Sequence, residues 1–430
     1  MGILTLGLLG VAALIPVGGF YQQKAEIADR ASAIAQAAMN ELVTSGMLDP
    51  RAWRVMAQPV PAQPPGPVAL PSDPMAFTFQ RPFATVLSEA IANTLKVNYT
   101  AAQRQQFLAR TFGHVFVIDP LAVAGASMPP SSNPTVNRIN RAVAVFPASA
   151  VMPPSGVSYG AGWTTWWWGS NPNSEYTWPV RRVTFLQSGS PTQNMTSAVA
   201  AHYFRGQDDL SFDFPARDDR PAIQNWDVKD RVTPLARKWT GDYSWIATVV
   251  PTTSAARDAL ASTSQSHAYD VSVIVFHKRA IPVIPPQTTQ EGSSAANVMV
   301  EDELYAKASI ISSGVTGGEL LLERTGSNSP DAFQQLRVGQ WIMLCGPHPR
   351  STDIDPRFVL NWYQVLSVDT TRLPNTQRRV AVRGPQWPWQ PSGNTYDLSN
   401  NLCVGIIRGA VAVHTKTIRL EGGTSAWAMR

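Results

Sequence analysis

The sequence predicts an α+β protein in which a long N-terminal α-helix is followed by a large antiparallel β-rich globular head. Three observations predict it. Residues 3–21 carry no charge and run directly into an alanine-rich amphipathic stretch. Proline, at 35 residues, outnumbers glycine at 29 and gathers in connecting segments, which argues against long helices in the body. Short β-branched or aromatic runs bounded by turn residues recur from His114 onward.

A chain of 430 residues is long enough for two or three folding units with real cores. At 44% hydrophobic and 15% charged residues it is too apolar for disorder to describe the whole chain. The net charge of +5 is small for this length, and Lys and Arg are scattered without a run, so nucleic acid is not an expected partner. The six histidines are dispersed and no CxxC or HExxH occurs, so neither a zinc site nor any other cofactor is expected. Cys345 and Cys403 leave two readings open: one disulfide in an oxidising compartment, or two separate buried thiols.

The N-terminal run ILTLGLLGVAALIPVGGFY is long enough to cross a bilayer as a helix of roughly 18 to 20 residues. Ile3, Leu4, Leu6, Leu8, Leu9, Val11, Leu14 and Ile15 supply its apolar surface, and Pro16 should kink it or loosen one turn. Gly7 and Gly10 suit close packing between membrane helices. Beyond it, Ile27, Ala31, Ile34, Ala38 and Leu42 recur every three or four residues as a packing stripe, with Lys24, Glu26, Asp29, Arg30 and Glu41 mostly elsewhere. Gly46 is the expected C-cap. One helix from Ile3 to Thr44 would reach about 60 Å at 1.5 Å per residue. A cleaved secretory signal is the weaker reading, because no basic segment precedes the apolar run and no small-residue cleavage site interrupts it. A plain membrane anchor without an assembly role is a stronger competitor than the signal, and nothing in the periodicity excludes it.

An apolar helix with glycines and a proline, passing into an Ala-rich amphipathic half and then a β-rich head, resembles the type IV pilin and type II secretion pseudopilin class. LTLGLLGVAALIPVGGFYQQ is similar to the later portion of a prepilin helix, and the resemblance covers about Ile3 to Thr44. It implies a structural subunit held in the inner membrane by a single pass, with the head extracytoplasmic and other pilin-like subunits as partners through the helix. The family's short basic leader, its glycine at the peptidase cut and its following glutamate are absent here. The reading favours a start upstream of Met1. As written, the chain does not supply the carboxylate thought to neutralise a neighbouring subunit's N-terminal amine in an apolar filament core.

Four regions are expected: the helix over 1–46, a Pro-rich linker over 47–76, a first globular α+β region over 77–285, and a C-terminal β-rich region over 286–430. The linker carries QPVPAQPPGPVALPSDP, an extended semi-rigid composition. Pro82 to Phe107 reads as helical. Strands are expected near His114–Ile118, Ala142–Phe146, Arg182–Leu186, Trp245–Val250 and Val271–His277. After a seam at Pro282–Pro286 they are expected near Glu319–Glu323, Trp341–Leu344, Trp362–Val368, Arg379–Arg383 and Val404–Leu420, joined by hairpins. The alternation through Val411–Ile418 gives the last strand one buried face.

Three patterns carry candidate chemistry. Gly156–Gly160 fits the GxSxG nucleophile elbow around Ser158, with Asp242 and His277 as partners by chain order alone. Prolines before it and Gly162, Thr164 and Thr165 after it oppose the required strand-to-helix turn, so a Gly/Ser loop is the stronger reading. Asp208, Asp209, Asp213, Asp218 and Asp219 could offer calcium oxygen ligands, but without EF-hand order, and Arg217 and Arg220 would pair with them on a solvated loop. Trp163, Trp166, Trp167, Trp168 and Trp178 form an aromatic cluster that would stack on sugars or dock a partner if exposed, although burial is the commoner fate of tryptophan. Trp387 and Trp389 fall under the same reading. The expected function is a structural pilin-like or pseudopilin subunit and not an enzyme; the alternatives are a membrane-anchored binding protein with a Trp-rich surface, or a serine hydrolase using Ser158.

Overall fold

The computed structural model of the chain describes residues 2–48, 52–57, 78–82, 115–126, 143, 146–147, 180–186, 194–206, 210–211, 238–239, 242–251, 267–279, 303–324, 336–347, 358–369, 377–389 and 402–420. Three helices lie among them: α1 (Gly2–Thr44), α2 (Pro120–Ala126) and α3 (Ser197–Phe204). The strands of the first half are β1 (Trp53–Ala57), β2 (Thr78–Pro82), β3 (Val115–Ile118), β4 (Val180–Phe185), β5 (Leu210–Ser211), β6 (Lys238–Trp239), β7 (Tyr243–Pro251) and β8 (His267–His277). Those of the second are β9 (Glu303–Gly314), β10 (Gly317–Arg324), β11 (Trp341–Pro347), β12 (Phe358–Asp369), β13 (Gln377–Arg383), β14 (Leu402–Ile407) and β15 (Ala410–Leu420).

The α+β class expected from the sequence is overturned. The described residues are mostly strand, α1 is the one long helix among them, and six strands close into an antiparallel barrel in the order β10-β13-β12-β11-β14-β9. Closure gives every barrel strand two neighbours, which removes the exposed edges of an open sheet. The remaining long strands form a seven-stranded sheet, β15-β8-β7-β3-β4-β1-β2, antiparallel except for β3 beside β4. β5 and β6 pair separately.

α1 forms because its alanine-rich second half favours helix and its apolar stripe has a sheet to cover. It ends in a Schellman closure: Gly46 takes φ 69°, Met47 N–H donates to Leu42 O at 3.1 Å, and Gly46 N–H donates to Val43 O at 3.4 Å. Ala31, Ile34, Ala38 and Leu42 are buried against one face of the sheet, with Ile27 half-buried beside them. Trp53 on β1 completes this layer, its indole N–H donating to Met47 O at 2.8 Å and its ring 5.1 Å from Phe116. β1 thus makes a sheet strand within the segment expected as linker. Toward the N-terminus the burial stops: side chains from Pro16 to Glu26 are exposed. Among the described residues no helix is long and apolar enough to cross a membrane.

The barrel packs on the opposite face of the sheet. Val115, Val117, Ile246, Ile274 and Phe276 from the sheet meet Met343, Leu360 and Trp362 from the barrel wall. Alternate barrel residues such as Ile342, Leu344, Tyr363, Val365 and Val404 fill its interior. After β13 the chain folds back so that Trp387 and Trp389, both buried, join that core. Glycines make room for them: a Cβ at Gly318 would come within 2.6 Å of the Trp387 ring, and one at Gly346 within 2.9 Å of Trp389.

The barrel is inserted into the sheet's own connectivity. β8 ends at His277, the chain builds the barrel, and β15 returns to pair antiparallel with β8 from Ala410↔Phe276 to Leu420↔His267. The last strand expected at Val404–Leu420 is therefore two strands in different sheets, divided by Arg408 and Gly409. Gly409 has φ 80° and its carbonyl accepts from His277 N–H at 2.8 Å; a Cβ there would lie 2.5 Å from His277 O. The exit is marked too, by Lys278 at φ 54°, whose N–H donates to Asp242 O at 2.6 Å. β15 is a half-exposed edge strand, contributing Ala412 and Ile418 to the α1 side and Val413 to the barrel side.

Candidate functional site: a buried charge cluster between sheet and barrel

At the root of the inserted barrel four charged side chains are buried together: Asp119, Arg182, Arg279 and Glu303. Local sequence explains how each is placed. Asp119 follows the apolar strand β3 and precedes Pro120, the pattern of an N-cap before a proline at the first helical position. Its Oδ1 accepts from Ala122 N–H at 3.3 Å, and its carbonyl from Val123 N–H at 3.3 Å. Arg182 alternates with Val183 on β4, so it points to the barrel side while Val183 points to α1. Arg279 lies two residues past β8, and Glu303 opens β9. The last two are therefore the described ends of the connection into the barrel.

The contacts are mutual. Arg279 Nη1 and Nη2 donate to Asp119 Oδ1 and Oδ2 at 3.1 and 2.6 Å, a bidentate fork. Arg279 Nη2 also reaches Glu303 Oε1 at 2.9 Å. Arg182 Nε donates to Asp119 Oδ2 at 2.9 Å, its Nη2 to Glu303 Oε2, and its Nη1 to Val143 O at 3.4 Å. The guanidiniums lie over rings, Arg182 5.0 Å from the Phe146 centroid and Arg279 4.9 Å from Phe276.

Two carboxylates and two guanidiniums sum to zero, which is what permits burial at this depth. Burial alone would push Asp119 up, yet Arg279, Arg182 and the Ala122 amide hold it down to about 2. Burial raises Glu303 as well, but Arg182 and Arg279 outweigh it and leave the carboxyl below its ordinary value. Burial opposes the charge on Arg279, while Asp119 and Glu303 raise its value above the ordinary one. All three stay ionised near neutrality, so none is poised to pass protons. The cluster fixes two bodies to each other.

The sequence-derived candidates fall elsewhere. Ile3, Leu4, Leu6, Leu8, Leu9, Val11, Leu14 and Ile15 lie in α1, their side chains outside the described residues, and Pro16 is exposed within it. Ser158, the five aspartates Asp208, Asp209, Asp213, Asp218 and Asp219, the Trp163–Trp178 cluster, and the helix expected over Pro82–Phe107 apart from Pro82 itself lie outside the described residues. Asp242 precedes β7, its carbonyl accepting from Lys278 N–H, and His277 ends β8 opposite Tyr243, whose ring lies 5.1 Å from the imidazole. Cys345 and Cys403 are buried free thiols. Among the described residues no group of His, Cys, Asp or Glu side chains could hold a metal ion. A dimple lined by Leu48, Trp53, Val249, Tyr269, Val271 and Ile418 has no room for a water molecule.

Sequence reasoning missed all four members of the charge cluster. The available signals were single charges set against apolar strands: Asp119 after VFVI, Arg182 inside VRRVTF, and Arg279 shortly after VSVIVFH. No protein family, curated protein or solved structure matches the chain.

Proposed function

We propose that the chain is a structural pilin-like or pseudopilin subunit, anchored in the inner membrane by α1, with its sheet and barrel as an extracytoplasmic head for assembly and partner contact. The observation that carries the reading is the division of α1. Its second half is buried on the sheet from Ala31 onward, whereas Val17, Phe20 and Tyr21 stand 49%, 62% and 65% exposed on the first half. Large apolar side chains on a free helix face mark a surface that another apolar phase or helix covers. They continue the uncharged run that begins at Ile3. The charge cluster supports a structural role, because its ion pairs lock a module in place and Asp119, Glu303 and Arg279 stay ionised near neutrality.

The test compares the full chain with a Val17→Asp/Phe20→Asp variant in flotation with phospholipid vesicles and in chemical cross-linking. Both substitutions fall on exposed positions and leave the packed half of α1 intact. Flotation and cross-linked multimers of the parent, lost in the variant, are expected. A parent that stays monomeric and does not float would refute the reading.

A further inference from the structure

Cys345 on β11 and Cys403 on β14 are directly opposed in antiparallel register. Both belong to the apolar layer between barrel wall and sheet, whereas their strand neighbours Leu344 and Val404 point into the barrel. The two side chains therefore project from the same face of one two-stranded ladder. Directly opposed antiparallel residues lie about 4.5 to 5.5 Å apart at Cα, inside the span of about 4.4 to 6.8 Å that a disulfide bridges. The Cys403 thiol already reaches across the ladder, with Sγ 3.3 Å from Cys345 O.

We propose that Cys345 and Cys403 are a disulfide site, a covalent rung across β11 and β14 closed by exchange with a small-molecule or protein disulfide, and that this structure is its reduced form. In the closing reaction one cysteine thiolate attacks a sulfur of the oxidant disulfide and expels a thiolate. The second cysteine thiolate then attacks the protein-bound sulfur and expels the other. The two protein thiols lose two protons and two electrons, and the oxidant becomes two thiols.

Placement sets the order of events. In the docked molecule both thiols are sealed beneath the sheet. Burial and the neighbouring Cys345 thiol push the Cys403 thiol well up, so the attacking thiolate is scarce there. Oxidation therefore precedes docking of barrel on sheet, and docking afterwards shields the bond from reductants. The rung would tie β14, the strand that hands the chain back to the sheet, to its neighbour β11. None of this depends on the membrane role of α1.

The full chain is unfolded and refolded in mixed oxidised and reduced glutathione, then digested without reduction for peptide mapping by mass spectrometry. The expected result is a Cys345–Cys403 linked peptide pair, an intact mass lower by about 2 Da from the two lost hydrogens, and an unfolding midpoint that drops on adding a reductant. Refolded chain with both thiols free, each capped by glutathione, or joined only between molecules overturns the proposal. The same chain produced by synthesis with oxidised glutathione present gives a second route to the folded state and is read in the same way. Cys345→Ala should abolish the reductant-sensitive shift; a shift of equal size in that variant also overturns it.

Discussion

Replacing Asp119 with alanine tests the charge cluster as the seat of the inserted barrel. The substitution removes the bidentate partner of Arg279, a bond to Arg182 Nε and the cap of α2 in one step. Holding the carboxyl at about 2 against its ordinary 3.8 corresponds to about 2 kcal/mol favouring its charged form. Removing it costs more than that, because two buried guanidiniums would face one carboxylate. Breaking a buried pair costs about 3 to 5 kcal/mol, and a lost helix cap adds about 1 kcal/mol. The total of about 4 to 6 kcal/mol approaches the whole stability of an ordinary domain. Urea unfolding followed by tryptophan fluorescence is the assay, since Trp362 sits in the seat with its indole N–H 3.3 Å from Thr248 Oγ1. The transition should move to lower urea and split, with the barrel leaving first. The double variant Asp119→Ala/Arg279→Met leaves the Arg182–Glu303 pair electrically balanced, so it should cost clearly less than the sum of the singles. A loss below about 1 kcal/mol, the size of an exposed ion pair, or strict additivity in the double variant would refute the clamp.

Two further outcomes are expected. Asp119 and Glu303 both have folded values below their ordinary ones, so their stabilisation is present above the unfolded carboxylate range and lost as pH falls through the folded values. The unfolding midpoint should therefore fall steeply from about pH 4 toward pH 2, and Asp119→Asn should flatten that fall; an unchanged slope in the variant argues against the assignment. On α1, Leu42→Ala at a fully buried stripe position should cost about 2 to 5 kcal/mol in denaturant unfolding. Its neighbour Val43, 51% exposed, should tolerate alanine within about 0.5 kcal/mol, and equal costs at the two sites would contradict the helix face.

What could be read from the sequence was whatever is periodic and local. Ala31, Ile34, Ala38 and Leu42 announce a helix face by spacing alone, and Gly46 its end. Runs such as VSVIVFH and LCVGII announce strands because β-branched and apolar residues fit a pleated, covered surface. Partners between strands are not local, and here the fold class was lost: nothing in β9 to β14 says that the first and last of them meet to close a barrel. β15 was merged with β14 because only a two-residue turn divides them, and the information that they belong to different sheets lies in β8, more than a hundred residues earlier. The charge cluster was invisible for the same reason. Asp119 and Arg279 are 160 positions apart, and Arg182 and Glu303 are 121 apart.

The insertion geometry explains why charge was buried at that point. β8 and β15 are neighbours in the sheet, so the strand ends at His277 and Ala410 must sit side by side whether or not a barrel lies between them. A long insertion between such ends adds little closure entropy, since the cost grows only with the logarithm of length. The same freedom leaves the barrel's orientation unspecified by the two connections alone. An apolar interface such as that of Phe276, Met343 and Trp362 supplies attraction but little direction. The cluster supplies direction: Arg279 and Glu303 leave and enter at the connection, Asp119 and Arg182 are held by β3, α2 and β4, and each guanidinium bridges both carboxylates. Displacing the barrel by one residue along the sheet would leave buried charges unpaired, a penalty that grades one docking geometry above its neighbours.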